Sequence, residues 1–184
     1  MAKALGLVEY STVSAGLRAA DTIAKTAEVR LLRAQIICPG KYVLLFAGEL
    51  GAIRAVLDAA QSKHEEHLLD SFLLGNPHEQ LIRALEGEKN ENASGAALGS
   101  IEVETVASAI VAADTAAKTA GVQILELRLE REVANKAYVL ITGTVSEVAE
   151  SVSHASRRAQ EVGTFLDSAV LPNPDGKLWE TLLQ

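Results

Sequence analysis

ALGLVEYSTVSAGLRAADTIAKTAEVRLL, residues Ala4 to Leu32, returns 93 positions later as ALGSIEVETVASAIVAADTAAKTAGVQIL, residues Ala97 to Leu125. Aligned without a gap, the two stretches agree at 16 of 29 positions, where composition alone would give roughly two or three. The shared runs include Ala19-Ala20-Asp21-Thr22 against Ala112-Ala113-Asp114-Thr115, and Lys25-Thr26-Ala27 against Lys118-Thr119-Ala120. A second echo pairs Asp70, Ser71, Leu74, Asn76, Pro77 and Leu81 with Asp167, Ser168, Leu171, Asn173, Pro174 and Leu178, now 97 residues apart. The chain is a duplicated domain, and small insertions absorb the four-residue drift. A property confined to one copy must lie where the copies differ, and the sharpest difference is the single cysteine, Cys38, which has no twin.

The repeat divides the 184 residues into a first copy at 1–88, a linker at 89–96 and a second copy at 97–184. Each copy is near the lower end of ordinary domain size. The Gly, Asn, Glu and Lys-rich stretch Gly87 to Gly95 suits the linker. Within the first copy, Leu5, Leu7 and Val8 open a strand. Thr12 or Ser14 can cap the following helix, which runs to about Ala27, because a hydroxyl there accepts an orphan backbone N–H. Val29 to Cys38 is a β-rich run broken by Pro39-Gly40, and Tyr42 to Phe46 forms its buried hairpin partner. Ile53, Val56, Leu57 and Ala60 at helical spacing predict a helix from Glu49 to about Glu66, then a strand over Leu68–Leu74 and a short helix over His78–Leu85. The order β-α-β-β-α-β-α, given twice, predicts an α/β (α+β) fold with helices packed on a small sheet in each copy.

Composition narrows the function. A net charge of −7 without clustered Lys or Arg argues against binding nucleic acid, which needs concentrated positive charge. No apolar run approaches the roughly 20 residues that cross a bilayer, and the N-terminus lacks the pattern of a secretory leader, so the expectation is a cytosolic protein without a membrane partner. A lone cysteine agrees with a reducing compartment. Alanine-rich helices and an aromatic content of 4% favour thin, closely packed layers over a deep substrate cavity.

Gly6-x-x-Glu9, Asp21-x-x-x-Lys25 on the first helix, and Pro39-Gly40-Lys41 before a strand ending in Gly48 form an ordered set, repeated as Gly99, Glu102, Asp114, Lys118, Asn135-Lys136 and Gly143. This set resembles the bacterial microcompartment shell domain, and the resemblance covers nearly the whole chain apart from the linker and extreme termini. The helix follows the first strand of each copy, as in non-permuted tandem shell proteins, which form trimers that mimic a hexamer. With Cys38-Pro39-Gly40-Lys41 in the first copy alone, the chain is most similar to the T-type shell proteins of propanediol-utilisation compartments, which are associated with an iron–sulfur cluster at the trimer axis.

The resemblance implies a bacterial cytoplasmic shell protein, not an enzyme. Its partners are itself as a homotrimer, other shell proteins at the tile edges and, further, an encapsulated redox enzyme. It implies a 4Fe–4S cluster held by Cys38 from each of three subunits, with Pro39, Gly40 and Lys41 in the pore or cluster loop and electron transfer or cluster delivery as the role. A single thiolate cannot hold a cubane, which takes about four ligands, but a threefold axis beside Cys38 would bring three sulfurs together. The fourth iron then takes solvent, an anion or an external thiol, or is lost. Pro39 removes a backbone donor, and Gly40 lets neighbouring backbone approach with N–H groups toward sulfur. Read from the residues alone, Cys38 is equally a small apolar residue at a strand end.

In the same family, the lysine at the Lys25 and Lys118 positions lies at the tile edge and meets the next tile. On local chemistry alone, each is half of an exposed i,i+4 ion pair with Asp21 or Asp114. His64 and His67 flank two glutamates, but their spacing of three and the absence of a third ligand nearby argue against a zinc-protease helix. His78 and His154 have ordinary capping or surface explanations, and Glu9 and Glu102 pair with basic groups or backbone. No acid–base pair and no phosphate loop stands out. The alternative in a different class is a small-molecule-binding or sensory oligomer of ferredoxin-like domains, which has no use for lysines on a rim.

Overall fold

The computed structural model describes residues 3–37, 40–88, 95–129 and 136–182. These residues divide into two compact units, one within 3–77 and the other within 78–182.

The first unit carries β1 (Ala4–Tyr10), α1 (Val13–Thr26), β2 (Arg30–Ile37), β3 (Lys41–Gly48), α2 (Leu50–Lys63), a 3₁₀ turn at Glu65–His67 and β4 (Leu68–Gly75). Its sheet is antiparallel in the order β2-β3-β1-β4. Alternation decides which residues meet the helices. Ala4, Val8 and Tyr10 of β1 and Tyr42, Leu44 and Phe46 of β3 join Ala15, Ala19 and Ile23 of α1 and Ile53, Val56, Leu57 and Ala60 of α2 in one core. Gly6 faces the same core, and a Cβ there would lie 2.3 Å from the Phe46 ring. The close approach of ring to strand therefore requires glycine.

Local chemistry sets the helix limits. Thr12 caps α1, its Oγ1 accepting the Ala15 N–H at 3.2 Å, and the chain turns extended at Ala27. The α2 helix stops at Lys63, short of the expected Glu66, and continues as the 3₁₀ turn. The reason is tertiary: Tyr10 sends its hydroxyl to the Ala60 carbonyl at 3.2 Å and meets the His64 ring edge to face, while His64 Nε2 lies 2.9 Å from Thr22 Oγ1. Those contacts tie the last turn to β1 and α1.

The second unit begins with α3 (Glu79–Glu86), then β5 (Ala97–Val103), α4 (Val106–Thr119), β6 (Gln123–Arg128), β7 (Ala137–Gly143), α5 (Val145–Glu161), β8 (Phe165–Pro172) and α6 (Gly176–Leu182). Its sheet, β6-β7-β5-β8, repeats the first. Even the irregularities are copied: register shifts at Glu9/Tyr10 and Leu31/Arg33 recur at Glu102/Val103 and Ile124/Glu126. Asn76 and Asn173 both take positive φ, at 51° and 50°, in the turn that leaves the last strand. Asparagine tolerates that region better than most residues. The β-α-β-β-α-β-α order expected for each copy, with helices on a small antiparallel sheet, is the order found.

The sequence spacing does not predict where α3 lies. Although it closes the first sequence copy, it packs within the second unit, against α4 and β6. Leu81, Ile82 and Leu85 are buried there. The His78 N–H donates to Asp114 Oδ1 at 2.7 Å, Gln80 Nε2 donates to the Val122 carbonyl at 3.0 Å, and Gln80 Oε1 accepts the Ile124 N–H at 2.9 Å.

Candidate functional site

The loop between β2 and β3 is the stretch in which the two copies differ most sharply. Cys38 and Pro39 lie outside the described residues. On either side of them, Ile37 ends β2 and Gly40 opens the return, its N–H donating to the Ile37 carbonyl at 2.8 Å. Gly40 has a φ of 99°, and no described atom lies within 4 Å of where its Cβ would be. Glycine is therefore required here by backbone conformation, whereas the sequence reading invoked close approach of neighbouring backbone.

Lys41 leads into β3, and its Nζ lies 3.5 Å from Glu9 Oε2. The pairing follows from register. Glu9 stands opposite Val43, so Lys41 is its diagonal neighbour on the same face of the sheet. Glu9 is only 4% exposed. Burial raises its pKa above the ordinary glutamate range; the Lys41 ammonium opposes that rise, and Asp70, opposite Glu9 on β4, adds to it. The sequence reading placed Lys41 in the loop and allowed Glu9 a basic partner without identifying which one. The available signal was the strand register, in which two residues before Val43 is Lys41. In the second unit, Glu102 stands opposite Tyr138, and no ion pair links it to Lys136 among the described residues.

The two Asp-x-x-x-Lys helices behave differently. Lys25 Nζ meets Asp21 Oδ2 at 2.7 Å with both side chains mostly in solvent. Lys118 Nζ meets Asp114 Oδ2 at 2.6 Å, but Asp114 is only 6% exposed and also accepts the His78 N–H. His64 and His67 are drawn into separate structural contacts, His64 to Thr22 and Tyr10, His67 to Glu66 and Ser11. His78 caps α3, its ring accepting the Gln80 N–H. Among the described residues of one chain, no group of three His, Cys, Asp or Glu side chains is placed to hold a metal.

The BMC domain model matches residues 4–77 and 97–174, nearly all of both copies. The bacterial microcompartment shell protein PduT of Citrobacter freundii is 32% identical over 184 residues, which is the full length of both chains. The shell protein EutK of Salmonella typhimurium is 40% identical over 81 residues, covering 43% of this chain and 49% of that one. The crystal structure of a microcompartments protein from Desulfitobacterium hafniense DCB superposes with a TM-score of 0.91 at 38% identity, covering 96% of this chain and 98% of the other. The duplicated fold and the match of both copies decide for a shell subunit over a ligand-sensing oligomer: the chain belongs to the BMC-domain family of bacterial microcompartment shell proteins, as a tandem-domain, structural and non-catalytic member.

Proposed function

We propose that this chain forms a homotrimeric tile of six BMC domains in which three Cys38 thiolates meet on the threefold axis and hold an iron–sulfur cluster, 4Fe–4S in the intact form. The carrying observation is a duplication complete in fold and incomplete in chemistry. In such a trimer six corresponding loops surround the axis, and only the three from the first copies carry sulfur. Such a cluster supplies one-electron transfer, and its position in a shell wall suits relay of electrons to an encapsulated redox enzyme, or delivery of the cluster itself.

Pro39, Gly40 and Lys41 shape the loop. The positive φ of Gly40 turns the chain two positions after Cys38 in sequence, and the Glu9–Lys41 pair anchors the start of β3. Lys25 and Lys118 serve the tile edges, where other shell proteins join. Iron and acid-labile sulfide in anaerobically purified protein, together with absorbance near ~400 nm, test the cluster. About four irons per trimer, lost in Cys38→Ala while the trimer persists, is the expected result. Iron-free trimer under those conditions rejects the cluster and leaves the tile. Electron microscopy of Lys25→Ala with Lys118→Ala, expected to lose extended sheets and keep trimers, tests the edges.

A further inference from the structure

The two hairpins that lead into the corresponding loops end differently. In the first unit the β2–β3 ladder runs through Ile36↔Tyr42 to Ile37↔Lys41, up to the loop at 38–40. In the second, among the described residues, the β6–β7 ladder stops at Arg128↔Tyr138, the counterpart of Gln35↔Val43. The copy with the cysteine is therefore paired for two further steps. The end pairs of a hairpin fray unless side chains pack over them, so the extra pairs need something to hold them.

On the helix side of the sheet, Tyr42 holds them. Its ring lies against the backbone of Gly16 in α1, where a Cβ would come within 2.2 Å of ring carbon Cδ1 and 2.6 Å of Cγ. Tyr10, the cross-strand partner of Tyr42, is buried in the same core. In the second unit Gly16, Tyr42 and Tyr10 are answered by Ala109, Ala137 and Val103, all buried. The helix gains a methyl group and the strand loses a ring. The two changes go together, because a Cβ at position 16 and a ring at position 42 cannot occupy the same space. On the opposite face of the sheet, Lys41 reaches Glu9 in the first unit, and no ion pair joins Lys136 to Glu102 among the described residues of the second. Both holds are confined to the copy that carries sulfur.

We infer that Tyr42, seated on Gly16, is a positioning residue for the Cys38 loop. It closes the last two pairs of the β2–β3 hairpin from the helix side, while the Glu9–Lys41 pair closes them from the other. The inference rests on the cluster reading above for what the loop has to present. A centre shared by three chains orders three loops at once, and a loop already fixed at its base loses less freedom on binding. The second copy, with no sulfur to place, has no use for the ring.

Gly16→Ala with Tyr42→Ala tests it by giving the first unit the residues with which the second already folds. Tyr42→Phe, which keeps the ring, is the rescue, and Tyr42→Leu replaces the double variant if circular dichroism shows that one unfolded. Each anaerobically purified protein is assayed for iron, and amide hydrogen exchange is followed by mass spectrometry in peptides spanning 35–43. The expected result is that wild type and Tyr42→Phe agree, at about four irons per trimer. The double variant, folded and trimeric, should exchange in this segment roughly tenfold faster or more and hold less iron. Wild-type exchange in the double variant overturns the inference, whatever its iron. Faster exchange with full iron overturns it as well, because the loop then holds the cluster without a fixed base. An iron-free wild type rejects the cluster reading, and exchange then decides alone: a faster double variant upholds Tyr42 as the residue that fixes the loop base, and an unchanged one rejects it.

Discussion

The helix α1 in the first unit and α4 in the second share the run Ala-Ala-Asp-Thr and end in the same Lys-Thr, yet they live in different places. One face of α1 is buried, through Ala15, Gly16, Ala19 and Ile23. In α4 the buried set is Val106, Ala109, Ile110, Ala112, Ala113, Asp114, Ala116 and Ala117, which spreads around most of the helix. The difference is the α3 helix, which lies against α4; the packing of α5 on α4, where Ser151 donates to the Ala116 carbonyl at 3.1 Å, repeats that of α2 on α1. Duplication copied the sequence, and the chain path then gave the copies different neighbours. The same motif is a solvated ion pair in one place and a buried anchor in the other.

The widest gap between the copies is predicted at the terminal helices. Leu81→Ala removes a fully buried side chain and lowers stability in urea by about 2–5 kcal/mol. Leu178→Ala, measured on dilute monomeric chain, changes it by less than about 0.5 kcal/mol. Equal losses would break the contrast between α3 and α6.

Next come the aspartates. Asp114→Ala leaves the His78 N–H without its acceptor, a loss of about 1–3 kcal/mol. Asp21→Ala removes an exposed pair and costs less than about 0.5 kcal/mol. Denaturant unfolding of the two variants side by side would sharpen or erase the difference.

A smaller effect is expected where α2 and α5 begin. Thr144 closes a capping box with Glu147, and Glu49 makes no side-chain cap. Thr144→Ala should lower the melting midpoint by the equivalent of about 1 kcal/mol, and Glu49→Ala should leave it nearly unchanged.

The smallest effects are slopes with pH, and they have opposite signs. Glu9 has a raised pKa in the folded chain, chiefly through burial, so the fold holds that proton more tightly than the unfolded chain does. The associated stability is present below the ordinary glutamate range and is lost as pH rises from there to the raised value. Glu147 has a lowered pKa, chiefly through its hydrogen bond from the Thr144 side chain and then from the Thr144 backbone. Its contribution is present above the ordinary range and is lost as pH falls through the lowered value. Melting midpoints across the acid range should therefore move in opposite directions in Glu9→Gln and Glu147→Gln, each compared with the wild type.

Much of the fold was legible because its signals are local. The hydroxyl at Thr12, the break at Pro39-Gly40 and the run from Tyr42 to Phe46 each act within a few residues, and all but the Pro39-Gly40 break are repeated in the second copy. The helix ending at Lys63 was not legible, since Tyr10 and Thr22, distant in the chain, close it. The candidate site was legible in part. Cys38 stands out by having no twin, and Gly40 by its turn, but the Glu9–Lys41 pair depends on a strand register that periodicity alone does not set.

The sequence by itself determined that the chain is a tandem repeat, which elements each copy forms and in what order, because hydrophobic period, caps and turns are properties of neighbouring residues. Only the tertiary structure decided that α3 belongs to the second unit, that Asp114 is buried while Asp21 is solvated, and that no residue of α6 is fully buried among the described residues. Those outcomes depend on which surfaces the connections bring together, and the Asp-x-x-x-Lys motif that α1 and α4 share carries no difference from which to read them.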